Sequence, residues 1–315
     1  MPTVVAVDLG GTNIRAAIFP TAEAKPTAIA RAPTLAAEGP EAVIDRIIAA
    51  IQEVASGIEG GMRIGLGAPG PLDPKRGLVI EAPNLPGWVN IPLRDRLEQH
   101  FECPVALGND ANLAGLGEWR HGAGRGAHNL LYLTLSTGIG GGVIVDNRLL
   151  VGAHGLAAEL GHMTVRPDGP LCGCGQRGHL EAVASGPAIA RRARERLAAG
   201  EASALRAVAD WDRDLTAEDV GRAALAGDSL AVAVVAEAGA AIGTHLANLL
   251  HVFNPEVIVL GGGVSQIGAP LFGPIEQALR ENVMHPAYLE GLRLERAALG
   301  DDAGLIGAMV LARES

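Results

Sequence analysis

Asp110 stands at the end of a short apolar run, Pro104 to Leu107, that passes through Gly108 and Asn109 into a helical pattern beginning near Ala111. A carboxylate there occupies the carboxyl end of a strand, where open α/β sheets place their ligand crevices. It can take the proton of a hydroxyl whose oxygen attacks a phosphoryl group, a reaction in which a protein otherwise mainly positions groups and stabilises charge. An Asp before a helix also serves as an N-cap. Asn109 beside it and glycine turns elsewhere favour the base.

Those turns are DLGGTN, beginning at Asp8, and STGIGGG, beginning at Ser136, each set between apolar runs that can pair as a hairpin. Neither carries a P-loop lysine. Glycine lets the backbone approach an oxyanion, successive amides form an anion-binding concavity, and Thr12 and Thr137 add hydroxyl donors. Gly10, Gly11, Thr12, Asn13, Thr137 and Gly138 are therefore candidate phosphate contacts, with Asp8 placed to hold Mg²⁺ through water. Ordinary hairpin turns are the other reading; two matching turns favour a nucleotide. Gly261, Gly262 and Gly263 follow an apolar strand and precede a helix, which suits adenosine on bare backbone or plain loop chemistry.

Glu159 and His162 lie in AAELGHM and Glu181 in GHLEAVASG. Vicinal sugar hydroxyls both donate and accept, so carboxylates and imidazole are suitable partners. Glu181 also reads as a first-turn acid favoured by the helix dipole. His162, Cys172, Cys174 and His179 offer the four N/S ligands of a structural zinc, against the alternative of free thiols on a loop.

Strands at Thr3 to Leu9, Ile14 to Phe19 and near Ala28 to Ala32, a helix over Pro40 to Ser56 and a buried strand at Arg63 to Ala68 build the first sheet and its cover. A Pro/Gly/Asn-rich loop containing APNLPGW fills 72–91, and a helix near Pro92 to His100 follows. The strand pair around STGIGGG repeats the first hairpin, so two related halves are expected. After an insertion over Gly152 to His179 without core pattern come helices at Pro187 to Ala199, Thr216 to Ala226 and Leu230 to Phe253. A strand at Glu256 to Leu260, a helix near Leu271 to Asn282, a strand near Leu292 to Leu299 and a C-terminal helix complete the α/β chain. The expected domains are 1–110 and 111–300, with the helix over about 301–315 packing back on the first.

A chain of 315 residues can bury two cores. The 48% hydrophobic and 19% charged composition is that of a soluble globular protein. A net charge of −10 with scattered Lys and Arg shows no basic patch for nucleic acid or an anionic membrane. Cys103, Cys172 and Cys174 make no disulfide framework, no stretch reaches about 18 uninterrupted apolar residues, and the N-terminal run lacks a basic flank. A reducing, cytoplasmic setting is expected.

Together DLGGTNIRAA, GAPGPLD, APNLPGW, GNDANLAGLGEW, TLSTGIGGG, ELGHM, CGCGQRGHLEAVASG, VIVLGGGVS and GDDAGLIGA resemble the ROK family of sugar kinases and sugar-responsive repressors, most of all its bacterial glucokinases. The resemblance implies a two-domain actin-like fold, each half ribonuclease H-like, with ATP and sugar in the interdomain cleft. It implies ATP-dependent phosphorylation of a hexose at its primary hydroxyl, glucose first, with fructose, mannose, N-acetylglucosamine and N-acetylmannosamine as alternatives. Asp110 would be the base; Asn84, Asn109, Asp110, Glu159, His162 and Glu181 would contact sugar; Gly10 to Thr12 with Thr137 and Gly138 would hold phosphates. His162 would serve the zinc as well. The family usually has a third cysteine where this chain has His179 and a glycine where it has Ala158. Polyphosphate is an alternative donor, and a homodimer or tetramer is implied. A sugar-sensing regulator is the rival from another class, but this chain opens directly into its first strand without the helix-turn-helix of such members.

Overall fold

The computed structural model describes residues 2–21, 23–58, 61–209 and 214–315. The chain enters through β1 (Thr3–Leu9), β2 (Asn13–Phe19) and β3 (Ala28–Pro33), then α1 (Pro40–Ala55) and β4 (Met62–Ala68). Three short strands follow, β5 (Leu72–Asp73), β6 (Leu78–Glu81) and β7 (Val89–Ile91), then α2 (Leu93–Phe101), β8 (Val105–Asn109) and α3 (Asp110–His121). The second series is β9 (Leu130–Leu135), β10 (Ile139–Val145), β11 (Arg148–Leu149), α4 (Leu180–Ala184), α5 (Gly186–Ala198), α6 (Leu205–Ala209), α7 (Ala217–Leu225) and α8 (Ser229–Phe253). It ends with β12 (Val257–Gly261), α9 (Ala269–Asn282), β13 (Arg293–Arg296) and α10 (Ala303–Glu314).

Contacts divide the chain into two compact units, one of Met1–Ala127, Gly142–Ala158 and Ala298–Ser315, the other of His128–Gly141 and Glu159–Ala297. The sequence places the first boundary at 110, whereas the first unit's opening segment runs through Ala127 and so keeps α3. The reason is packing: α3 lies against α10 so closely that a Cβ on Gly117 would come within 2.4 Å of the Ala303 carbonyl oxygen.

The first unit's sheet has the order β3-β2-β1-β4-β8, its hairpin strands antiparallel and β1, β4 and β8 parallel. One face is covered by α1, whose Val43, Ile47, Ile51 and Val54 stripe is buried. The other is covered by α10, and only glycine fits beneath it at Gly65, where a Cβ would stand 1.9 Å from the Ala308 carbonyl oxygen. The loop expected over 72–91 instead contains the antiparallel sheet β5-β6-β7, because Leu72, Val79 and Ile91 bury one face.

The second sheet has the order β11-β10-β9-β12-β13. Apolar α8 is long enough to cross a membrane by length and composition, yet its Ile242, Leu246 and Leu249 stripe is fully covered within the unit, where α8 packs on α9 and α7. The insertion has only a 3₁₀ turn at Leu160–His162 and two isolated bridges, Thr164 with His179 and Leu171 with Arg177.

Candidate active site

In the first unit, β1 carries Asp8 toward a turn closed by the Gly10 N–H donating to the Asn13 carbonyl at 2.9 Å. Buried Thr34, at the end of β3, buttresses it: its N–H donates to the Thr12 carbonyl at 2.8 Å and its hydroxyl to the Gly10 carbonyl at 2.7 Å. Gly11, Thr12 and Asn13 stay exposed, so the stiffened turn presents its face to solvent. Asn84 packs behind it, its Cβ 3.3 Å from where a Cβ on Gly11 would be.

Burial raises the Asp8 carboxyl above its ordinary range; Arg15, its register partner on β2, pulls it back down and Asp301 pushes it further up. Arg15 also donates to the Asp301 carbonyl and the Asp302 carboxylate. Asp8 is thereby fixed in a small charged cluster, and a carboxylate so placed can orient a hydrated cation.

At the β8–α3 junction the capping residue is Asn109. Its Oδ1 accepts from the Ala111 and Asn112 N–H groups at 3.0 and 3.1 Å. Asp110 is the first helical residue, its Oδ1 accepting from Ala111 N–H at 2.7 Å. The helix N-cap is thus Asn109, not Asp110.

The second unit gathers the other acids around its glycine turn. Ser136 N–H donates to the Gly138 carbonyl at 2.9 Å, and Glu181 at the start of α4 accepts from Ile139 N–H at 3.0 Å. The Glu159–His162 segment lies against β10 so tightly that a Cβ on Gly161 would sit 1.8 Å from the Ile139 carbonyl oxygen. Burial raises the Glu159 carboxyl; His162 opposes the rise and Glu181 adds to it, which places the three expected sugar ligands within electrostatic reach of one another.

His162, Cys172, Cys174 and His179 converge, each offering a donor atom within 4.8 Å of the others. Cys172 Sγ is 3.7 Å from His162 Nδ1 and Cys174 Sγ is 3.3 Å from His179 Nδ1. Zinc–nitrogen and zinc–sulfur bonds of about 2.0 and 2.3 Å in a tetrahedron require donor separations of roughly this size. The set fits a structural zinc, with histidine in the fourth place. Burial first, with the Cys174 thiol and the Glu181 carboxylate adding to it, drives the Cys172 thiol up to about 11, so a cation is what would hold it as thiolate. Glu181 Oε1 lies 3.5 Å from Cys172 Sγ, joining this cluster to the glycine turn.

Beside the turn opens a cavity of about 810 Å³ lined by Ser136, Thr137 and Gly263, by Gly186, Ala190 and Arg194 of α5, by Gly221 and Leu225 of α7, and by Val264 and Ile267. Its walls are mostly apolar. Of the glycine triplet only Gly263 lines it, with no atom within 4 Å of a Cβ placed there. Gly261 and Gly262 serve the backbone instead. A Cβ on Gly261 would meet the Tyr132 hydroxyl at 2.6 Å, and Gly262 has φ +80° with the Leu135 carbonyl oxygen 2.3 Å from its Cβ position. The α5 and α7 walls have no motif. Their only signal is small or apolar residues four apart, Gly186 with Ala190 and Gly221 with Leu225, which mark one helix face.

The ROK family pattern matches residues 4–315, and the chain belongs to that family. It is 39% identical to a glucokinase of Thermotoga maritima over 311 residues, 99% of this chain and 97% of that one. It is 31% identical to the DNA-binding transcriptional repressor Mlc of Escherichia coli, covering 85% of this chain and 66% of the repressor. Among solved structures it is similar to a ROK family glucokinase from Streptomyces griseus in complex with glucose and AMPPNP, with TM-score 0.84, 37% identity, and coverage of 99% of this chain and 100% of that one. The fold is the two-domain actin-like fold of ROK sugar kinases.

Proposed function

We propose that this protein transfers the γ-phosphoryl group of ATP to the primary hydroxyl of glucose. The observation that carries the reading is the large, mostly apolar cavity opening beside Thr137 of a glycine turn, which has the size and lining for a nucleoside; its two arginines, Arg194 and Arg222, stand opposite Asp214 and Glu218 and so make no open cationic track for a polyphosphate. Glucokinases aligned over nearly the full chain support the reaction. The carboxylate of Asp110 takes the hydroxyl proton as the new O–P bond forms and the bond to the β-phosphate oxygen breaks, releasing ADP. Asn84, Asn109, Glu159, His162 and Glu181 hold the remaining hydroxyls. Gly10 to Asn13, Thr137 and Gly138 cradle phosphate oxygens, and Asp8 would hold a hydrated Mg²⁺, which would supply positive charge for the phosphoryl oxygens. A structural zinc on His162, Cys172, Cys174 and His179 would order the segment before Glu181. Cys103, Cys172 and Cys174, none in a disulfide, suit a reducing cytoplasm.

A coupled assay over a panel of hexoses and N-acetylhexosamines, with ATP and polyphosphate compared, tests the reaction. Glucose with ATP should give the highest kcat/KM; preference for another sugar or donor would replace that part of the proposal. Elemental analysis should find one zinc per chain, and chelation should weaken hexose binding before it weakens ATP. Zinc well below one per metal-replete chain would remove the metal site.

A further inference from the structure

Glu118 lies on the helix that begins at Asp110, and its side chain is fully buried. Backbone N–H groups, not a cation, satisfy it. Oε1 accepts from Leu299 at 2.8 Å, and Oε2 accepts from Ala123 at 2.9 Å and Ala298 at 3.1 Å. Taking a carboxylate out of water is costly, and hydrogen bonds from fixed amides are one of the few arrangements that offset it. A buried acid of this kind does structural work at the least; what it holds together suggests more.

The amides it grips belong to the segment that leads into α10. Two residues beyond Leu299 come Asp301 and Asp302, which receive the Arg15 guanidinium, and then Gly304, whose Cβ position is 3.5 Å from the Asp8 carboxyl carbon. Glu118 thus links the helix carrying the Asp110 carboxylate to the segment packed on Asp8. The faces of α3 and α10 already meet backbone to backbone: besides the Gly117 contact, a Cβ on Gly307 would lie 1.7 Å from the Leu113 carbonyl oxygen. Those contacts fix how close the helices come. Glu118 adds three hydrogen bonds between the last turn of α3 and fixed amides, which hold its position along the axis.

We propose that Glu118 is a positioning residue for phosphoryl transfer, setting the register of α3 against the α10 approach and so the separation of Asp110 from Asp8. The inference rests on Asp110 being the base. A misplacement of about 1 Å between reacting groups can cost on the order of 100-fold in rate, so a partial loss of register should reach kcat without touching substrate contacts. Glu118→Gln keeps the shape but must turn an N–H₂ toward either Leu299 or the Ala123 and Ala298 donors. Gly122→Ala perturbs the same carboxylate with its charge intact, because a Cβ there would stand 2.0 Å from Glu118 Oε2. Arg120→Ala, two residues beyond Glu118, removes an exposed ion pair with Glu314 and a guanidinium stacked on Trp119 while leaving the Glu118 carboxylate and its amides in place, and serves as the control.

Steady-state kinetics should be normalised to sites counted by glucose titration. Both E118Q and G122A should lose about tenfold in kcat with both KM values within about twofold, while R120A keeps its kcat. A purely structural role would lower the melting temperature and the fraction of competent sites and leave kcat per site unchanged. Wild-type kcat per site in E118Q and G122A, with Asp110→Asn inactive, would overturn the positioning role alone. Near-wild-type turnover in Asp110→Asn would overturn the base and this inference with it.

Discussion

In the proposed reaction the first sheet delivers its chemistry from strand ends, Asp8 from β1 and Asp110 just after β8, whereas the second delivers little of its own and relies on the surfaces around it. Both are built alike, a parallel trio flanked by hairpin strands, with β1 matching β9, β4 matching β12 and β8 matching β13. Yet β3 runs six residues and ends at a turn buttress, while its counterpart β11 has two. In the second unit the acids sit on an irregular insertion and at the start of α4, and the cavity is walled by α5 and α7. The first unit concentrates function on few side chains; the second spreads it over many. Substitutions should therefore be severe in the one and graded in the other.

Asp110→Asn is the largest expected effect. The amide preserves shape and hydrogen bonding but cannot take the proton, so kcat should fall by about 10²–10⁴ while glucose affinity stays within a few-fold. Equilibrium glucose titration beside single-turnover kinetics separates these quantities. Retention of turnover would mean that the first unit is no more concentrated than the second.

The next contrast concerns acid. Among the described residues the second unit buries His245 at the centre of α8, its ring facing the Leu160 carbonyl next to Glu159, and the first unit buries no histidine. Burial lowers the His245 imidazole to about 4. An unfolded imidazole titrates at about 6.5, so below that pH the unfolded chain binds a proton the folded chain refuses. The contribution is present in full above about pH 6.5 and is lost as pH falls toward the folded value, on the order of 3 kcal/mol across the window. Urea unfolding between pH 7 and 4.5 should show this slope, and His245→Gln should flatten it. Equal slopes in both proteins would place the acid-sensitive group elsewhere.

What the sequence made legible follows the same division. Asp8, Asp110 and both glycine turns stand where a strand's apolar run stops, and a run of β-branched residues ending in glycine is a local signal that needs no tertiary knowledge. The Cys/His cluster was readable because four soft or imidazole donors fall within 18 residues, His162 to His179. The small sheet β5-β6-β7 was hidden by its prolines and glycines, although Leu72, Val79 and Ile91 alternate correctly once paired. The cavity walls on α5 and α7 were not legible, because a helix face of glycine and alanine reads equally as close packing. Nor did the sequence separate Gly263 from Gly261 and Gly262; that depends on which of three adjacent Cβ positions meets Tyr132, Leu135 or open space.

That last distinction yields the mildest substitution. Gly263 needs no positive φ, and a Cβ there meets nothing within 4 Å, so Gly263→Val places its methyl groups into the cavity instead of into the protein. Folding stability should hold within about 0.5 kcal/mol, the usual range for a substitution away from packed features. The cavity has many other walls, so a nucleoside can shift and keep most of its contacts; the KM for ATP should rise by about tenfold, or ~1.4 kcal/mol, with glucose affinity unchanged. Any turnover with polyphosphate should be indifferent to the valine, because a polyphosphate has no base or ribose to displace. The decisive measurement is the ratio of the ATP effects of Gly263→Val and Gly262→Val. At Gly262 a side chain must strain a backbone at φ +80° and collide with Leu135, so that variant should lose stability first and nucleotide affinity only through it. If the two variants instead raise the ATP KM equally at equal stability, the triplet acts as one ligand loop and the graded character claimed for the second unit is lost.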